Sequence, residues 1–417
     1  MFETLRSVLK FRGYDANADR RRLATAANVD DLRAIAKKRL PGGVFDYIDG
    51  GAEDELTLAG NQKAFRDIGL RPRVLCGLTG VDTAGTILGR SAPMPLVLAP
   101  TGFTRIADPQ GELAVARAAA RAGVPYSLST LSTRSIEEVA AASDGVTWGA
   151  DGERRLWFQV YTWRDKGLVK EMVERAAASR YEALILTVDL AVLGRRERDV
   201  RRGFSLPPKI GLDTIFDGMR HPGWTWRFAR SEPIRFANLP TDGENDGSTA
   251  VDLAEFTNSQ FRIDLSWGDL EWFRSIWDGP IVVKGIQTVD DAVLARDVGF
   301  DAVCLSNHGG RQLDGAPATL DLVEPCREKL GDDVEIIVDG GSRRGSDLLK
   351  ARALGANSVM AGRSYLYGLG AAGEKGVDFV LDLYQAGLHR TMALCGVSSL
   401  DEVSRTLLRC ESPQPRG

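Results

Sequence analysis

The stretch Met94-Pro95-Leu96-Val97-Leu98-Ala99-Pro100 decides the fold class, because the chain changes its periodicity from this point onwards. The stretch is apolar, contains prolines near both ends and is too short for most helices, so it predicts a buried β-strand. Downstream, short apolar runs alternate with amphipathic stretches of helical length. They predict eight strands, at 94–100, 126–130, 156–161, 183–189, 280–285, 302–307, 335–341 and 358–363. This alternation predicts an α/β protein with a (β/α)8 TIM barrel.

The segments outside this alternation predict the domain organisation. Residues 1–28 are polar and basic and are expected to form a solvated N-terminal extension, followed by helical pieces at 29–39 and 44–51. The barrel domain is expected over 29–410, with a long insertion at about 201–270 after the fourth strand, and 411–417 as a flexible tail. Helices at 373–395 and 399–408 are expected to close the barrel, the second capped by Ser399 and Glu402.

The insertion admits two interpretations. Its segment 222–230, PGWTWRFAR, mixes tryptophans with arginines, and residues 242–248 look mobile. Tryptophan beside basic residues is typical of segments that dock on a membrane surface. The other interpretation, which we favour, is an insertion that packs over the barrel mouth and excludes water.

Composition limits the class of protein. The chain has 417 residues, of which 43% are hydrophobic and 26% charged, and its formal net charge of −4 gives no general nucleic-acid footprint. Five separated cysteines without a C-x-x-C pair are typical of reduced thiols in the cytoplasm. We find no signal peptide and no apolar run of membrane-spanning length. We therefore expect a cytoplasmic protein, at most peripheral at the inner face of the membrane, without a metal site.

Polar residues stand at the end of nearly every predicted strand. In TIM barrels the chemistry collects at these carboxyl ends, and phosphate often binds after the seventh and eighth strands. Those two positions hold Asp339-Gly340-Gly341-Ser342-Arg343 and Gly362-Arg363, so the sequence predicts a phosphorylated ligand, either cofactor or substrate.

Lys284 ends the fifth strand after an apolar run and needs an anionic partner if it is buried. It could form a Schiff base, or it could be a fixed cation that stabilises charge developing on a cofactor. The second role fits better, because His308, Arg311 and Arg196 already suit an anionic substrate. A flavin mononucleotide would use the phosphate site and Lys284 together. The sequence contains no G-x-G-x-x-G motif in a Rossmann context, so a nicotinamide cofactor is not expected.

The segment Ser306–Asp314, SNHGGRQLD, places an imidazole three residues before a guanidinium. A histidine can accept a proton at neutral pH, and an arginine fork can hold a carboxylate beside it. An isolated H-x-x-R is more often a satisfied strand-end histidine next to a surface arginine. The polar groups at the other strand ends favour the catalytic interpretation here.

SNHGGRQLD, together with Leu186–Asp189 (LTVD) and Leu193–Glu197 (LGRRE), resembles the FMN-dependent L-2-hydroxyacid oxidase and dehydrogenase family. That family oxidises lactate, glycolate and mandelate. The resemblance runs from about Val29 to Leu408 and is greatest to the bacterial L-lactate dehydrogenases, notably at 100–105 and 129–133.

The resemblance implies a role for each matching position. His308 would be the catalytic base, Asp189 would stabilise its imidazolium, Arg311 and Arg196 would bind the substrate carboxylate, and Tyr47 and Tyr161 would contact carboxylate and hydroxyl. Asp339 would take the ribityl chain of FMN. The isoalloxazine would lie against Thr101, Gly102, Ser129, Gln159, Thr187 and Lys284, and the phosphate against Gly341, Arg343, Gly362 and Arg363.

The resemblance also implies an activity, which is the oxidation of an L-2-hydroxy acid, most of all of L-lactate to pyruvate. The electrons would pass to a quinone or another carrier. The resemblance further implies a homotetramer. The alternatives are an oxidase that makes hydrogen peroxide, a non-catalytic FMN-binding barrel and a sugar-phosphate isomerase. Two positions depart from relatives in this family. Leu131 stands where plant glycolate oxidases carry tryptophan, which suits a side chain larger than that of glycolate, and Gly102 stands where several oxidases carry alanine.

Overall fold

Eight parallel strands form a closed barrel at the centre of the protein. The computed structural model describes residues 15–149, 152–202, 211–239 and 259–409. Strands β1 to β8 are Leu96–Leu98, Tyr126–Ser129, Leu156–Tyr161, Ala183–Thr187, Ile281–Ile286, Ala302–Leu305, Glu335–Asp339 and Ser358–Ala361. Each strand pairs with its neighbour in sequence, and β8 closes the ring on β1 through Val359 opposite Leu96. The predicted (β/α)8 barrel is confirmed, strand for strand.

Helices surround the barrel and precede it. We number the described α-helices α1 to α16: Ala18–Leu23, Val29–Arg39, Gly42–Asp49, Leu56–Asp67, Gly111–Ala122, Ile136–Asp144, Lys166–Ala178, Glu197–Arg201, Leu212–Arg220, Pro222–Ala229, Trp267–Glu271, Val289–Asp297, Val323–Leu330, Gly345–Ala353, Arg363–Ala372 and Glu374–Cys395. Helices α1 to α4 precede the barrel; α2 and α3 match the predicted helical pieces at 29–39 and 44–51, whereas α1 and α4 were not predicted. Helices α8 to α11 lie between β4 and β5, where the long insertion was predicted.

The strands are mostly apolar because both of their faces are covered. Val97, Trp157 and Ile185 are fully buried in a cluster that fills the barrel interior. Leu96 and Leu98 are buried in the larger cluster formed with the surrounding helices. Parallel strands covered on both faces give continuous hydrophobic runs instead of an alternating pattern, which is why these segments could be found in the sequence.

An antiparallel hairpin closes the amino-terminal end of the barrel. Its strands, Gly85–Ile87 and Arg90–Ala92, bring Ile87 into the interior cluster. The turn is fixed because Leu88 N donates to Glu335 Oε2 at 2.9 Å and Arg155 Nη2 donates to Ile87 O at 2.7 Å. The sequence analysis did not predict this hairpin. Because it closes one end, only the carboxyl ends of the strands are left to form a cavity.

The described part of the insertion packs on the barrel. The indole of Trp224 donates a hydrogen bond to Ile106 O at 2.8 Å, and Arg227 forms an ion pair with the buried Asp108 at 2.9 Å. Trp224 therefore anchors the insertion, which argues against a role in membrane contact. The segment 242–248 and the tail 411–417 lie outside the described residues. None of the described helices has the length and apolar character that a membrane span requires.

The predicted helix at 399–408 is wrong. The segment forms two short 3-10 turns, Leu400–Glu402 and Arg405–Leu407, and then a strand, Leu408–Arg409, that pairs antiparallel with Gly69–Leu70. The predicted cap formed by Ser399 and Glu402 is replaced by another contact, in which the carboxylate of Glu402 accepts a hydrogen bond from the N–H of Ser398 at 2.9 Å. Pairing with a distant strand outweighs the local helical pattern here.

Candidate active site

A cavity of about 340 Å3 opens at the carboxyl ends of the strands. Apart from Asp189, every residue predicted for the site lines it: Tyr47, Thr101, Gly102, Ser129, Gln159, Tyr161, Thr187, Arg196, Lys284, His308, Arg311, Asp339, Gly341, Arg343, Gly362 and Arg363. Asp189 lies beside the cavity and contacts His308. The closed barrel therefore brings together residues that are spread over more than 300 positions of the chain.

His308 is held by contacts on its ring and on its backbone. Its Nδ1 lies 3.1 Å from Oδ1 of Asp189, whose side chain is 2% exposed. The backbone N–H of His308 donates to Ser306 Oγ at 3.1 Å. Burial works against ionisation of Asp189, but the neighbouring His308 outweighs it and holds the pKa of this carboxyl below its usual range. An ionised Asp189 can stabilise the imidazolium that forms when His308 accepts a proton.

Three consecutive residues, His308, Gly309 and Gly310, have a left-handed backbone, with φ of 57°, 65° and 73°. A side chain in this region costs free energy, and such strain is found mainly at functional sites. A Cβ on Gly310 would lie 2.6 Å from the backbone nitrogen of Leu58, and one on Gly309 would lie 2.7 Å from Nη1 of Arg363. The two glycines therefore allow the turn to pack between α4 and the first residue of α15.

Two arginines meet over one tyrosine at the substrate end of the cavity. The guanidinium carbons of Arg311 and Arg196 lie 5.0 and 5.4 Å from the ring centroid of Tyr47. Burial, with repulsion from Arg196, lowers the pKa of Arg311 to about 9, so it is still a cation at neutral pH. Asp199 offsets part of the charge of Arg196 through a 3.3 Å contact. Two adjacent cations beside an open cavity favour binding of a carboxylate.

The loop that carries Arg196 is fastened to the loop that carries Arg311. Gln312 Nε2 donates to the carbonyls of Asp189 and Val192 at 2.9 and 2.8 Å, and Gln312 Oε1 accepts from Gly194 N at 3.0 Å. A Cβ on Gly194 would lie 2.3 Å from Arg311 O, so only glycine allows this approach. Gln312 and Gly194 thereby set the spacing of the two arginines.

Tyr161 lies in the wall of the cavity and is 8% exposed. Burial and the nearby Asp189 raise the pKa of its phenol well above the usual range. The hydroxyl is therefore a hydrogen-bond donor at all ordinary pH values, as contact with a substrate hydroxyl or carboxylate requires.

Lys284 is buried in a cluster of three polar side chains. Its Nζ lies 2.9 Å from Asp339 Oδ2 and 2.8 Å from Ser306 Oγ, and Ser306 in turn donates to Asp339 at 2.8 Å. Burial disfavours the charge, but Asp339 and Asp189 outweigh burial and raise the pKa of Lys284 above its usual range. A Schiff base requires a neutral amine, so this environment favours the fixed cation.

The flavin predicted for the cavity can be tested against buried polar atoms that need a partner. Of the described residues that line the cavity, Gln159 and Thr187 each have a buried polar atom without a hydrogen-bond partner, namely Nε2 and Oγ1. Gln159 Oε1 accepts from Ser129 Oγ at 3.1 Å, which leaves the amide nitrogen for a ligand. Unpaired buried donors are costly, and the carbonyl and nitrogen acceptors of an isoalloxazine would satisfy them. These residues fit the ring of FMN.

The far end of the cavity carries positive charge where phosphate was predicted. Arg343 and Arg363 line it, with Gly341 and Gly362 beside them. Arg343 donates one hydrogen bond to Ser342 O at 2.7 Å. Arg363 is more fully engaged, because it donates to the carbonyls of Ile48, Gly309 and Gly50 at 3.1, 2.7 and 2.7 Å. Since carbonyls do not neutralise a guanidinium, both arginines keep a net charge for a phosphate.

Several residues of the site were not identified from the sequence. Ser306 was only part of a motif, yet its hydroxyl joins Lys284, Asp339 and the backbone of His308. Phe236 and Phe261, both from the insertion, line the cavity without any motif that marks them. Within the described ranges, no group of three or more His, Cys, Asp or Glu side chains is arranged to hold a metal ion.

Comparison with known proteins gives consistent results. The model of the family described as FMN-dependent dehydrogenase matches residues 36–410. The chain is 44% identical over 400 residues to a Mycobacterium tuberculosis protein named "Putative L-lactate dehydrogenase", covering 96% of this chain and 93% of that protein. It is 40% identical over 386 residues to an L-lactate oxidase of Nostoc, covering 93% and 99%. A crystal structure of the monotopic membrane protein (S)-mandelate dehydrogenase superposes with a TM-score of 0.87 at 37% identity, covering 93% and 100%.

Proposed function

Because the chain belongs to the FMN-dependent dehydrogenase family and is a flavoenzyme that oxidises 2-hydroxy acids, we propose that its substrate is L-lactate, which it converts to pyruvate. We further propose that the electrons pass to a quinone or another carrier. The observation that carries the proposal is the placement of His308, which Asp189 holds from beside the cavity, in one cavity with Arg311 and Arg196. A proton acceptor and a carboxylate clamp are what a 2-hydroxy acid requires.

In this proposal each side chain has one task. Arg311 and Arg196 hold the substrate carboxylate, and Tyr47 and Tyr161 orient the carboxylate and hydroxyl. His308 accepts a proton from the substrate, either from the α-carbon or from the hydroxyl, while Asp189 stabilises the resulting imidazolium.

The cofactor has its own set of residues in this proposal. FMN, when bound, supplies the acceptor for the two electrons that the substrate loses. Its ring is held by Thr101, Gly102, Ser129, Gln159, Thr187 and Lys284, its ribityl chain by Asp339, and its phosphate by Gly341, Arg343, Gly362 and Arg363. Lys284 would lie beside the bound ring, and its fixed positive charge would favour an acceptor that gains negative charge on reduction.

Anaerobic reduction tests the proposal. The purified holoenzyme should be yellow and should bleach on addition of L-lactate, with glycolate and (S)-mandelate as comparison substrates. His308→Ala should keep its FMN and lose about 10²–10⁴-fold in the rate of flavin reduction. His389→Ala is the matched control, because His389 is exposed on α16 away from the cavity. Failure of every 2-hydroxy acid to bleach the wild-type flavin would reject the function, and normal reduction by His308→Ala would reject the base.

A hydrogen-peroxide-forming oxidase is the second candidate, favoured by the 40% identity to a protein named L-lactate oxidase. Comparing the rates at which oxygen and a quinone analogue reoxidise the reduced enzyme separates the two. A non-catalytic barrel would be expected to lack part of the base or the clamp, yet His308, Asp189, Arg311 and Arg196 are all present. A sugar-phosphate isomerase would purify without flavin.

We also propose that the insertion contacts a membrane surface, but through α9 instead of Trp224. Ile215, Phe216 and Met219 on α9 and Trp226 on α10 are 51–63% exposed. Arg220 and Arg230 are exposed nearby and suit anionic headgroups. The support is this apolar and basic patch, together with the structural similarity to a mandelate dehydrogenase described as monotopic.

Vesicle sedimentation tests the membrane contact. Wild type should sediment with anionic vesicles, and the triple variant Ile215→Ser/Phe216→Ser/Met219→Ser should not. Leu394→Ser is the matched control, since Leu394 is 63% exposed on a different helix. Equal sedimentation of both variants would reject this surface. A homotetramer, also proposed, is tested by the mass of the holoenzyme in light scattering.

A further inference from the structure

Two phenylalanines extend the substrate end of the cavity beyond the residues that the function requires. Phe236 and Phe261 both line the cavity that contains His308 and come from the insertion after β4. Phe236 is 6% exposed, so its ring is packed in place and does not project into solvent. Neither residue can accept a proton or bind an anion. Their contribution to a ligand is therefore apolar contact.

Phe236 ends a row of aromatic rings that starts at the carboxylate clamp. Tyr47, which lies under both guanidinium groups, meets Phe103 edge-on with 6.3 Å between ring centroids. Phe103 in turn lies 5.9 Å from Phe236. A carboxylate bound above Tyr47 would leave the substituent on its α-carbon to extend away from the charged end. The methyl group of lactate would be too short to follow this row, whereas a branched or aryl side chain would extend further towards Phe236.

The backbone around Phe236 is fixed by buried hydrogen bonds. The N–H of Ala237 donates to Ser132 O at 3.1 Å, and Asn238 Nδ2 donates to Ser132 Oγ at 2.8 Å. Arg105 Nη2 donates to Glu232 O at 2.6 Å at the start of the same segment. Asn238, Arg105 and Phe236 are all nearly fully buried. A wall held in this way discriminates between side chains, because it cannot adapt its shape without breaking those bonds.

Phe261 lines the cavity from a different direction. Its ring meets that of Tyr161 edge-on, with 5.5 Å between centroids. The preceding residue, Gln260, is fixed to the barrel because its carbonyl accepts from Arg164 N at 3.2 Å. The two phenylalanines thus approach the cavity beside the two tyrosines assigned to the substrate, Phe236 through Phe103 and Phe261 directly.

We propose that Phe236 is a specificity-determining residue that binds the apolar side chain of 2-hydroxy acids larger than lactate. This inference rests on the proposed function, because it assumes that the substrate carboxylate binds to Arg311 and Arg196. The insertion would then select among substrates, while the barrel supplies the base and the flavin site. Removal of a wall contact in an apolar pocket typically changes selectivity about 10–200-fold.

The test measures anaerobic flavin reduction by three substrates, L-lactate, L-2-hydroxyisocaproate and (S)-mandelate. Phe236→Ala should lower kcat/KM for the two larger acids by about tenfold or more and change that for L-lactate by less than about threefold. Phe236→Leu, which keeps an apolar side chain, should fall between wild type and Phe236→Ala. Ile263→Ala is the matched control, as an apolar residue of the same insertion that is 78% exposed.

The results separate the inference from the function on which it rests. If no acid reduces the wild-type flavin, the proposed function fails. If the wild type is reduced and Phe236→Ala lowers kcat/KM equally for all three acids, or improves the larger ones, the assigned contact is overturned. Flavin absorbance and Tm of each variant show whether it is folded. If Phe236→Ala does not fold, an unchanged substrate profile in Phe236→Leu overturns the proposal.

Discussion

Substitution of Asp49 by asparagine should weaken both the fold and the substrate clamp. Its carboxylate is 4% exposed and accepts hydrogen bonds from Arg33 Nη2, Arg198 Nη1 and the Tyr367 hydroxyl at 2.7, 2.8 and 2.7 Å. These donors belong to α2, α8 and α15. Arg198 is two residues from Arg196, just as Asp49 is two residues from Tyr47. The carboxylate therefore joins two segments that carry the substrate end of the cavity.

The pKa of Asp49 gives the magnitude of the effect. Burial alone would raise this pKa, but the hydrogen bonds from Arg33 and Tyr367 outweigh burial and lower it from 3.8 to about 2. At about 1.4 kcal/mol per pH unit, the ionised carboxylate contributes about 2 kcal/mol to the free energy of unfolding. The side chains of Arg33 and Arg198 are 42% and 33% exposed, so solvent screening makes this an upper value. Because Tm shifts shrink as the chain lengthens, Asp49→Asn should lower Tm by about 2 °C at neutral pH.

The pH dependence follows from the sign of the change. A folded-state pKa below the unfolded value means that the contribution is complete above about pH 5 and is lost as the pH falls from about 4 towards 2. The difference in Tm between wild type and Asp49→Asn should therefore be constant from pH 7 to pH 5 and shrink below pH 4. Thermal unfolding of the holoenzyme, followed by flavin fluorescence, measures this difference.

The same variant tests the link to the substrate clamp. Because displacement of α8 moves Arg196, KM for the 2-hydroxy acid should rise several-fold while FMN stays bound. Glu197→Gln is the matched control, a carboxylate-to-amide change on α8 that breaks only an exposed pair with Arg201 and should cost under about 1 kcal/mol. A Tm for Asp49→Asn within 1 °C of wild type, with no dependence on pH, would refute the assigned role of this carboxylate.

Two further substitutions probe the flavin side of the cavity. Ser306→Ala removes the acceptor of the His308 N–H and one of two acceptors of Lys284 Nζ, which keeps its contact with Asp339. The free energy of unfolding should therefore fall by about 1–3 kcal/mol and stopped-flow flavin reduction should slow; unchanged values of both would show that the hydroxyl is dispensable. In Gly102→Ala the new Cβ meets Leu131 Cβ and O at 3.2 Å, so the adjoining loop must shift slightly and Tm should fall by about 1 °C, whereas a higher Tm would show that the space exists.

The barrel and most of its site could be predicted because they depend on local features. Each strand is a short apolar run, and parallel strands place their carboxyl ends together whatever the details of the helices. Gln159, Lys284 and His308 were therefore predicted to meet although they are far apart in sequence, and they line one cavity. Their chemistry follows from residue type alone, since an imidazole, an ammonium group and an amide differ in what they can bind.

The features that were missed depend on contacts between distant segments. For Trp224 the sequence left both membrane contact and packing on the barrel open, and only the hydrogen bond of its indole to Ile106 O shows which contact it makes. The helical pattern at 399–408 gives way to pairing with Gly69–Leu70, which no local signal announces. Phe236 is apolar within an ordinary insertion sequence, and its position in the cavity depends on Ser132 and Arg105. Local sequence does not encode which partner a residue will meet.

The end of helix α3 explains how the site keeps its positive charge. Helix α3 ends at Asp49, and the carbonyls of Tyr47, Ile48 and Gly50 are left at its carboxyl end. Arg311 donates to the carbonyls of Tyr47 and Gly50, and Arg363 to those of Ile48 and Gly50. These carbonyls carry the negative end of the helix dipole, so they hold both guanidinium groups without neutralising them as a carboxylate would.

Arginines at the surface show the contrast, since Arg117 and Arg121 are paired with Glu374 and Asp378. Such a pair has little charge left for a ligand. In the cavity, the end of helix α3 therefore orients two cations. Arg311 is directed towards the predicted carboxylate and Arg363 towards the predicted phosphate. A change at this helix end should weaken substrate and FMN binding together, whereas a change at Arg196 should weaken substrate binding alone.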